Sequence, residues 1–423
     1  MRTIVVGGGL AGLAAGLDLV DAGQAVTLLE ARPTLGGAVQ TLPERDGDPS
    51  PPPDNGQHVA LGCFTAYLHF LARIGQSGAV SRTRLALPVI AADRSVSAIA
   101  PGLAALLRYR HISFSDRLTV VRASRRIAAF DPFDHDDETF ASLLLRLGQS
   151  REAIDRFWDV FIRPALNLRS DEASAALGIF TVQTALLGGG GASDLLLPAA
   201  PLGEIHGDAA GRALAAAGAD VRVNARVVGL EGDAAVLGDG HRVDGDAFVV
   251  ALPPAESARL LGEPTPLLDD SPIVSVHLLV DRVILHFPLA ALLASAAHWV
   301  FDRGRITGRP PANRQYLTVV SSGAPELAAT RGRELVGIVA RELTERLGSA
   351  ELLWSRVSRE PAATFAGRPG TAALRPGPET SRPNVVRAGA WTNTGWPATM
   401  ESAVLSGQRA ALALTAVANR VEA

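Results

Sequence analysis

The chain opens on an apolar run, TIVV at 3–6, that predicts a buried strand. Apolar positions then recur at helical spacing, at Leu10, Leu13, Ala14, Leu17 and Val20, and Gly23 ends that helix. A second strand is predicted over AVTLLE at 25–30, closing on an acid. Further along, DGDPSPPPDNG at 46–56 has the composition of a turn-rich loop. Residues 81–200 are rich in arginine and leucine and read as mostly helical. Residues 219–231 alternate as strands and precede DAFVVALPP at 246–254, and PIVSVHLLV at 272–280 predicts another strand. Arg333 to Leu347 is an amphipathic helix by pattern. A β-like run, Asn384 to Ala388, leads into GAWTNTGWPATME, and a helical stripe follows at Met400, Ala403, Val404, Gly407, Ala411 and Leu414. No tandem repeat is present.

The first strand, helix and second strand enclose GGGLAG, with Gly7, Gly9 and Gly12 in G-x-G-x-x-G register. Gly7 suits the tight turn, Gly9 lets the backbone approach a pyrophosphate, and Gly12 lets helix and strand pack closely. The helix N-terminus attracts phosphate. Glu30 lies 18 residues beyond Gly12, where a carboxylate binds ribose hydroxyls. A dinucleotide site follows. Arg32 and the pair Gly36-Gly37 come directly after the acid, a second glycine turn that nicotinamide domains do not need. It resembles the extension of the glutathione-reductase-like FAD proteins, which favours FAD over NAD.

Composition narrows the classes. With 47% hydrophobic and 20% charged residues, 423 residues suit a well-packed protein of two domains. A net charge of −3 gives no global basic field for nucleic acid. Cys63 is the one cysteine, so no internal disulfide or cysteine metal cluster forms. The first strand begins almost at the initiator, which leaves no room for a leader and predicts a cytoplasmic protein. The chain has no lysine; all 40 basic residues are arginine. Schiff-base chemistry and a lysine-held water are therefore excluded.

Beyond the glycine motif, VVGGGLAGLAAG at 5–16, DNGQHVALGC at 54–63, GASDLLLP at 191–198, HWVFDRG at 298–304 and TGWPATMESAV at 394–404 carry a resemblance across nearly the whole chain. The sequence resembles the squalene-associated FAD-dependent desaturases, the hydroxysqualene dehydroxylases, within the phytoene desaturase and flavin amine oxidase group. The resemblance implies an α/β fold: a glutathione-reductase-like Rossmann FAD-binding domain from 1–80, 200–265 and 370–423, and an α+β substrate domain from 81–199 and 266–369. It implies non-covalent FAD held by Gly7, Gly9, Leu10, Ala11, Gly12, Glu30, Ala31, Arg32, Gly36, Gly37, Asn55, Gly56, Val227, Gly389, Trp396, Thr399 and Met400. The last turn would wrap the flavin, with Pro397 at the first position of the final helix and its free N–H groups facing the flavin N1 and C2 carbonyl. Trp391 and Trp396 would either wall the ring or simply pack. The family reaction removes the hydroxyl of hydroxysqualene, a C30 isoprenoid, with reduced FAD, giving squalene for hopanoid synthesis; the reductant partner is unspecified. Two positions depart from the family pattern: Ala38 stands where an arginine is usual after the glycine pair, and Ala390 where an aspartate precedes the tryptophan. A polyene desaturase, or a flavin-poor isoprenoid-binding homologue, is the alternative reading.

Loss of an allylic hydroxyl needs a hydride donor, a proton for the departing oxygen and an apolar cavity. His58 and then Glu401 are the candidate acids, with Asp54 third. The competing roles are loop fixation for His58 and charge complementarity with the helix dipole for Glu401. Asp134, Asp136, Asp137 and Glu138 lack the spacing of a calcium loop and read as an acidic helix start, so no metal is expected. The stretch 103–128 interleaves six arginines with apolar residues. A solvated helical face is its bland reading. The sharper one is an interfacial helix pair on anionic lipid, placing the protein at the cytoplasmic face of the membrane. Val283 to Phe301, uncharged, reads as a core or cavity wall more readily than as a membrane span.

Overall fold

The computed structural model describes residues 1–421. Its first layer is a five-stranded parallel sheet. Across that sheet the strands run Val385–Arg387, Ala247–Val250, Arg2–Val6, Ala25–Leu29 and Asp220–Arg222. The four strands other than the edge strand Asp220–Arg222 are apolar on both faces because both are covered: one by helices, the other by a small antiparallel sheet and the helix Pro254–Leu261. The opening helix, Leu10–Asp21, and the terminal helix, Met400–Val421, pack together over one face through Leu13, Leu17, Val404, Ala411 and Leu414. Sequence-distant segments thus share one core, and the end of the chain returns to its beginning. A three-stranded antiparallel sheet (Val227–Glu231, Ala234–Leu237, Arg242–Asp244) lies beside it.

The second layer is a seven-stranded sheet. Its order is Leu352–Phe365, Asp270–Val280, Gln315–Ser322, Trp299–Asp302, Leu289–Leu292, Leu87–Ile90 and Val96–Ile99. One face carries Val274, Val276, Leu278, Leu317 and Val319, and packs on Leu335, Val339 and Leu343 of the helix Gly332–Leu347. A helical cluster built around Trp158, Phe140 and Tyr109 fills the far side of the molecule. A small sheet of Ala60–Leu61, Leu195–Pro198 and Val80–Thr83 stitches the two layers together.

Two expectations change, at residues 81–200 and at 134–138. Residues 81–200 are not mostly helical at their ends: Val80–Thr83, Leu87–Ile90, Val96–Ile99 and Leu195–Pro198 are strands. Their apolar runs are too short for periodicity to separate strand from helix. Val283 to Phe301 holds two antiparallel strands of the large sheet, a core wall. No helix among the described residues is long and apolar enough to cross a membrane. The acidic run at 134–138 opens no helix. Thr139 caps the helix Phe140–Arg146, Asp136 accepts hydrogen bonds from Ser174 and the Ala372 N–H, and Glu138 pairs with Arg146. No group of metal-ligating side chains forms among the described residues.

Candidate active site

The nucleotide cradle is made by backbone. A Cβ on Gly12 would stand 1.9 Å from the Gly7 carbonyl oxygen, so only glycine lets the opening helix start that close to the first strand. Gly37 has φ +61°, and a Cβ there would meet the Gly9 Cα at 2.8 Å. The two glycine turns therefore touch backbone to backbone, joined by the Gly36 N–H to Gly8 carbonyl bond of 2.8 Å. No side chain caps the opening helix, so the first-turn N–H groups of Leu10 and Ala11 are left without a side-chain acceptor, as a helix end that receives an anion requires. Glu30 ends the second strand, and its carboxylate accepts from the Gly8 N–H and the Arg32 N–H, each at 2.7 Å. Arg32 itself and Ala31 are exposed at the rim, while Val227 is buried in the adjoining three-stranded sheet. These residues fit a dinucleotide: a cradle free of Cβ atoms, a free helix end and a ribose-side carboxylate.

The DNGQH loop is tied to that cradle. The Asn55 amide donates to the Ala38 carbonyl at 2.8 Å, and the Asn55 N–H to the Gln40 carbonyl at 3.0 Å. Gly56 lies against the seven-stranded sheet, where a Cβ would stand 3.0 Å from the Ser275 hydroxyl.

The final turn is pinned from outside its own sequence. Arg375, buried, donates to the carbonyls of Ala390, Trp391 and Thr392, and its guanidinium lies 4.6 Å from the centre of the Phe365 ring. Burial lowers its pKa to about 10. The Ala390 carbonyl also accepts from Ser402, whose hydroxyl faces that of Thr394 at 2.7 Å. Gly389 donates its N–H to the Ser406 hydroxyl. Trp391 is an anchor: its indole N–H donates to the Leu252 carbonyl at 2.9 Å. Trp396 meets Phe64 and Phe180 edge to face, with centroids 5.6 and 5.0 Å apart. Beside it lies a cavity of ≈ 110 Å³ lined by Phe133, Leu177, Phe180, Phe365, Arg375 and Gly395, among others. The final helix begins at Met400, not at Pro397. Thr399 precedes it, and its hydroxyl accepts from the Ser402 N–H at 3.2 Å. Pro397 sits in the turn, three residues outside the helix.

The candidate acids fall in different surroundings. Glu401 is buried, and its two oxygens accept from the Ala66 and Tyr67 N–H groups at 3.0 and 2.8 Å. It caps the helix Thr65–Arg73, which lacks a side-chain cap of its own. The expected place in the first turn of its own helix holds, a tertiary cap is added to it, and both oxygens are engaged by backbone donors. Burial raises its pKa, and the backbone donors pull it back. His58 is half-buried, with Nδ1 3.4 Å from the Gly56 carbonyl, and burial lowers its pKa. A neutral imidazole near pH 7 fits loop fixation better than proton delivery. Asp54 is wholly buried and committed. Oδ2 lies 2.6 Å from Arg303, and Oδ1 accepts from Thr41 and the Leu202 N–H.

Sequence reasoning missed Glu360, Ser275, Arg303 and Arg375. Ser275 alternates with His277 inside the strand predicted at 272–280, whereas Glu360, in SREP, falls where the pattern predicts no element; Arg303 lies within the HWVFDRG motif, which by itself assigns it no role, and nothing in the sequence marks Arg375.

A family model described as flavin containing amine oxidoreductase matches residues 10–415. The hydroxysqualene dehydroxylase of Sinorhizobium fredii is 29% identical, over 96% of each chain. That of Rhodopseudomonas palustris is 30% identical, again over 96% of each. Cyclohexylamine oxidase from Brevibacterium oxydans superposes with a TM-score of 0.74 over 100% of this chain and 99% of that one, at 19% identity, and shares the fold.

Proposed function

The chain belongs to the flavin-containing amine oxidoreductase family and is an FAD-dependent oxidoreductase; from that premise we propose that it removes the hydroxyl of hydroxysqualene to give squalene. The observation that carries the proposal is similarity to two hydroxysqualene dehydroxylases along 96% of the chain. The site chemistry agrees. An amine-oxidising mechanism built on a lysine-held water is unavailable to a chain without lysine. The apolar cavity walls at Phe133, Leu177, Phe180 and Phe365, with Trp396 packed on Phe180, suit contact with a hydrocarbon.

Gly7, Gly9, Gly12, Glu30, Gly36 and Gly37 would hold the adenosine and pyrophosphate. The turn from Gly389 to Met400 would hold the flavin end, kept in shape by Arg375 and Ser402. Reduced FAD supplies hydride when bound. The protein's own tasks are to exclude water from the reacting carbon and to give the leaving oxygen a proton.

A membrane-dissolved substrate calls for a contact with lipid. Leu103, Phe114 and Leu118 are 55%, 61% and 40% exposed on the helices Leu103–Arg108 and Phe114–Ile127, beside exposed Arg108, Arg122, Arg125 and Arg126. That pairing supports a peripheral contact with anionic lipid. Arg117 takes no part, since it donates inward to the Leu107 and Ile112 carbonyls.

The test is product analysis. Under anaerobic conditions with chemically reduced FAD, the purified protein converts hydroxysqualene to squalene, and it leaves primary amines untouched. Amine-dependent reduction of the flavin, or no squalene, would overturn the proposal.

A further inference from the structure

The second face of the seven-stranded sheet is divided: toward Leu289, Ala291, Trp299 and Phe301 it is apolar, but across Asp270–Val280, Gln315–Ser322 and Leu352–Phe365 it carries polar groups, most of them buried. Cross-strand register places Ser275 opposite Ser358, His277 opposite Arg356 and Thr318, and Ile273 opposite Glu360. Directly opposed residues share a face, so these polar groups project together, away from the valine-lined side. They meet the loop 48–58. Arg356 pairs with Asp48, and Arg303 pairs with Asp54 and donates to the Pro52 carbonyl. The His277 Nδ1 faces the Thr318 hydroxyl at 3.0 Å, and burial lowers its pKa to about 3, which keeps it neutral.

Two features of this face are not explained by folding. First, Asn55 Oδ1, Gln57 Oε1 and the Ser275 hydroxyl are buried with no hydrogen-bond partner. Their residues are 4%, 8% and 1% exposed. Each such group destabilises the fold, and all three gather where the DNGQH loop crosses the sheet. Second, the carboxylates here divide. Asp48 and Asp54 are held by arginines, whereas Glu360 has no cation partner among the described residues. Among the described residues its side chain has one hydrogen-bond partner, the Asn55 amide, whose nitrogen lies 3.4 Å from Oε1. Through Asn55, Glu360 is one residue from Gly56, in the loop that joins the cofactor cradle to the sheet.

Resting on the dehydroxylase reading, we propose that Glu360 is the acid that protonates the departing hydroxyl, and that Ser275, Asn55 and Gln57 form the polar slot receiving that oxygen. The Glu360 carboxyl gives its proton to the substrate oxygen, the C–O bond breaks, and water leaves with the bonding pair. The carbon takes a hydride from reduced flavin, and the carboxylate recovers a proton from solvent. Substrate gains two electrons, flavin loses two, and one water is released. His58, neutral, and Glu401, spent on its cap, leave this step to Glu360.

The test separates acid chemistry from scaffolding. Glu360→Gln keeps the size and the contact with Asn55 but carries no acidic proton. Its kcat on hydroxysqualene falls by about 10²-fold or more, with KM and melting temperature little changed. Its turnover of the formate ester of the same alcohol, whose leaving group departs without a proton, stays within a few-fold of wild type. A second readout uses FAD-free protein and Trp396 fluorescence. Wild type binds the alcohol about tenfold more tightly than squalene, and Glu360→Leu with Ser275→Ala abolishes that preference without weakening squalene. Wild-type turnover of the alcohol by Glu360→Gln, equal losses on alcohol and ester, or an unchanged binding preference in the double variant would overturn the assignment. A wild-type protein that binds the alcohol selectively but yields no squalene would instead contradict the dehydroxylase reading itself.

Discussion

The two large sheets of this molecule bury their polar groups in opposite ways. The five-stranded parallel sheet is apolar on both faces, and the chemistry at its edge is done by backbone: glycine turns, a helix end and one terminal carboxylate. The seven-stranded sheet is apolar throughout on one face and divided on the other. Half of that other face is apolar core, and half buries serine, histidine, threonine and arginine, with Glu360 half-buried beside them, against a loop from the first layer. On the proposed reading, the first arrangement would hold the cofactor and the second, built from side chains, would select the reaction.

The largest expected effect tests whether the ion pair at this junction holds the layers together. Asp54→Ala leaves the Arg303 charge buried and unpaired, which costs about 3–5 kcal/mol. Denaturant titration measures the loss, and the pair Asp54→Leu with Arg303→Met recovers most of it. A loss near zero in the single variant means the layers do not depend on the pair.

Next in size is an acid transition set by a buried histidine. His206 lies between the Tyr67 hydroxyl and the Leu202 carbonyl, each 2.8 Å away, and burial lowers its pKa from 6.5 to about 4. The unfolded chain therefore binds a proton first as pH falls, so stability is lost between pH 6.5 and about 4, by about 3 kcal/mol. His206→Gln flattens that window. A pH–stability curve with the same slope in both proteins would show that another group is responsible.

Glu401→Ala removes a cap and strands two buried N–H groups, for about 2 kcal/mol. Because its folded pKa is raised above 4.5, the native carboxyl holds its proton longer than the unfolded one. Its contribution is present at low pH and lost as pH rises through that window, and Glu401→Gln removes this dependence. If Glu401→Gln instead abolishes catalysis at unchanged stability, Glu401 is an acid after all.

The smallest effect concerns the departures from family pattern. Ala390→Asp restores a carboxylate beside the flavin-facing turn, close to Arg375, and tightens FAD binding about tenfold, or ~1.4 kcal/mol. Fluorescence titration decides it. Unchanged affinity would mean that Arg375 and Ser402 already complete this turn.

The same contrast explains what the sequence made legible. The cradle could be read at Gly7, Gly9, Gly12 and Glu30 because its parts are local and its geometry demands glycine. The resemblance then supplied the fold class and the cofactor. The short strands at 80–99 and 195–198 were hidden because four residues are too few to show a period. The partners of Glu401 could not be foreseen: it caps a helix 335 residues away in sequence. Arg375 carried no signal, and Arg303 only its place in the HWVFDRG motif, because the carbonyls and the carboxylate they serve are brought to them only by the fold. Ser275 and Glu360 alternate correctly within their strands, yet strand register alone places them on one face.

The central claim is reductive dehydroxylation, and single-turnover flavin spectroscopy tests it most directly. Protein loaded with FAD and reduced without oxygen is mixed with hydroxysqualene, and the return of oxidised flavin absorbance is followed alongside extraction of product. The account predicts reoxidation with one squalene formed per flavin. Flavin that stays reduced in the presence of bound alcohol, or reoxidises without forming squalene, would contradict it.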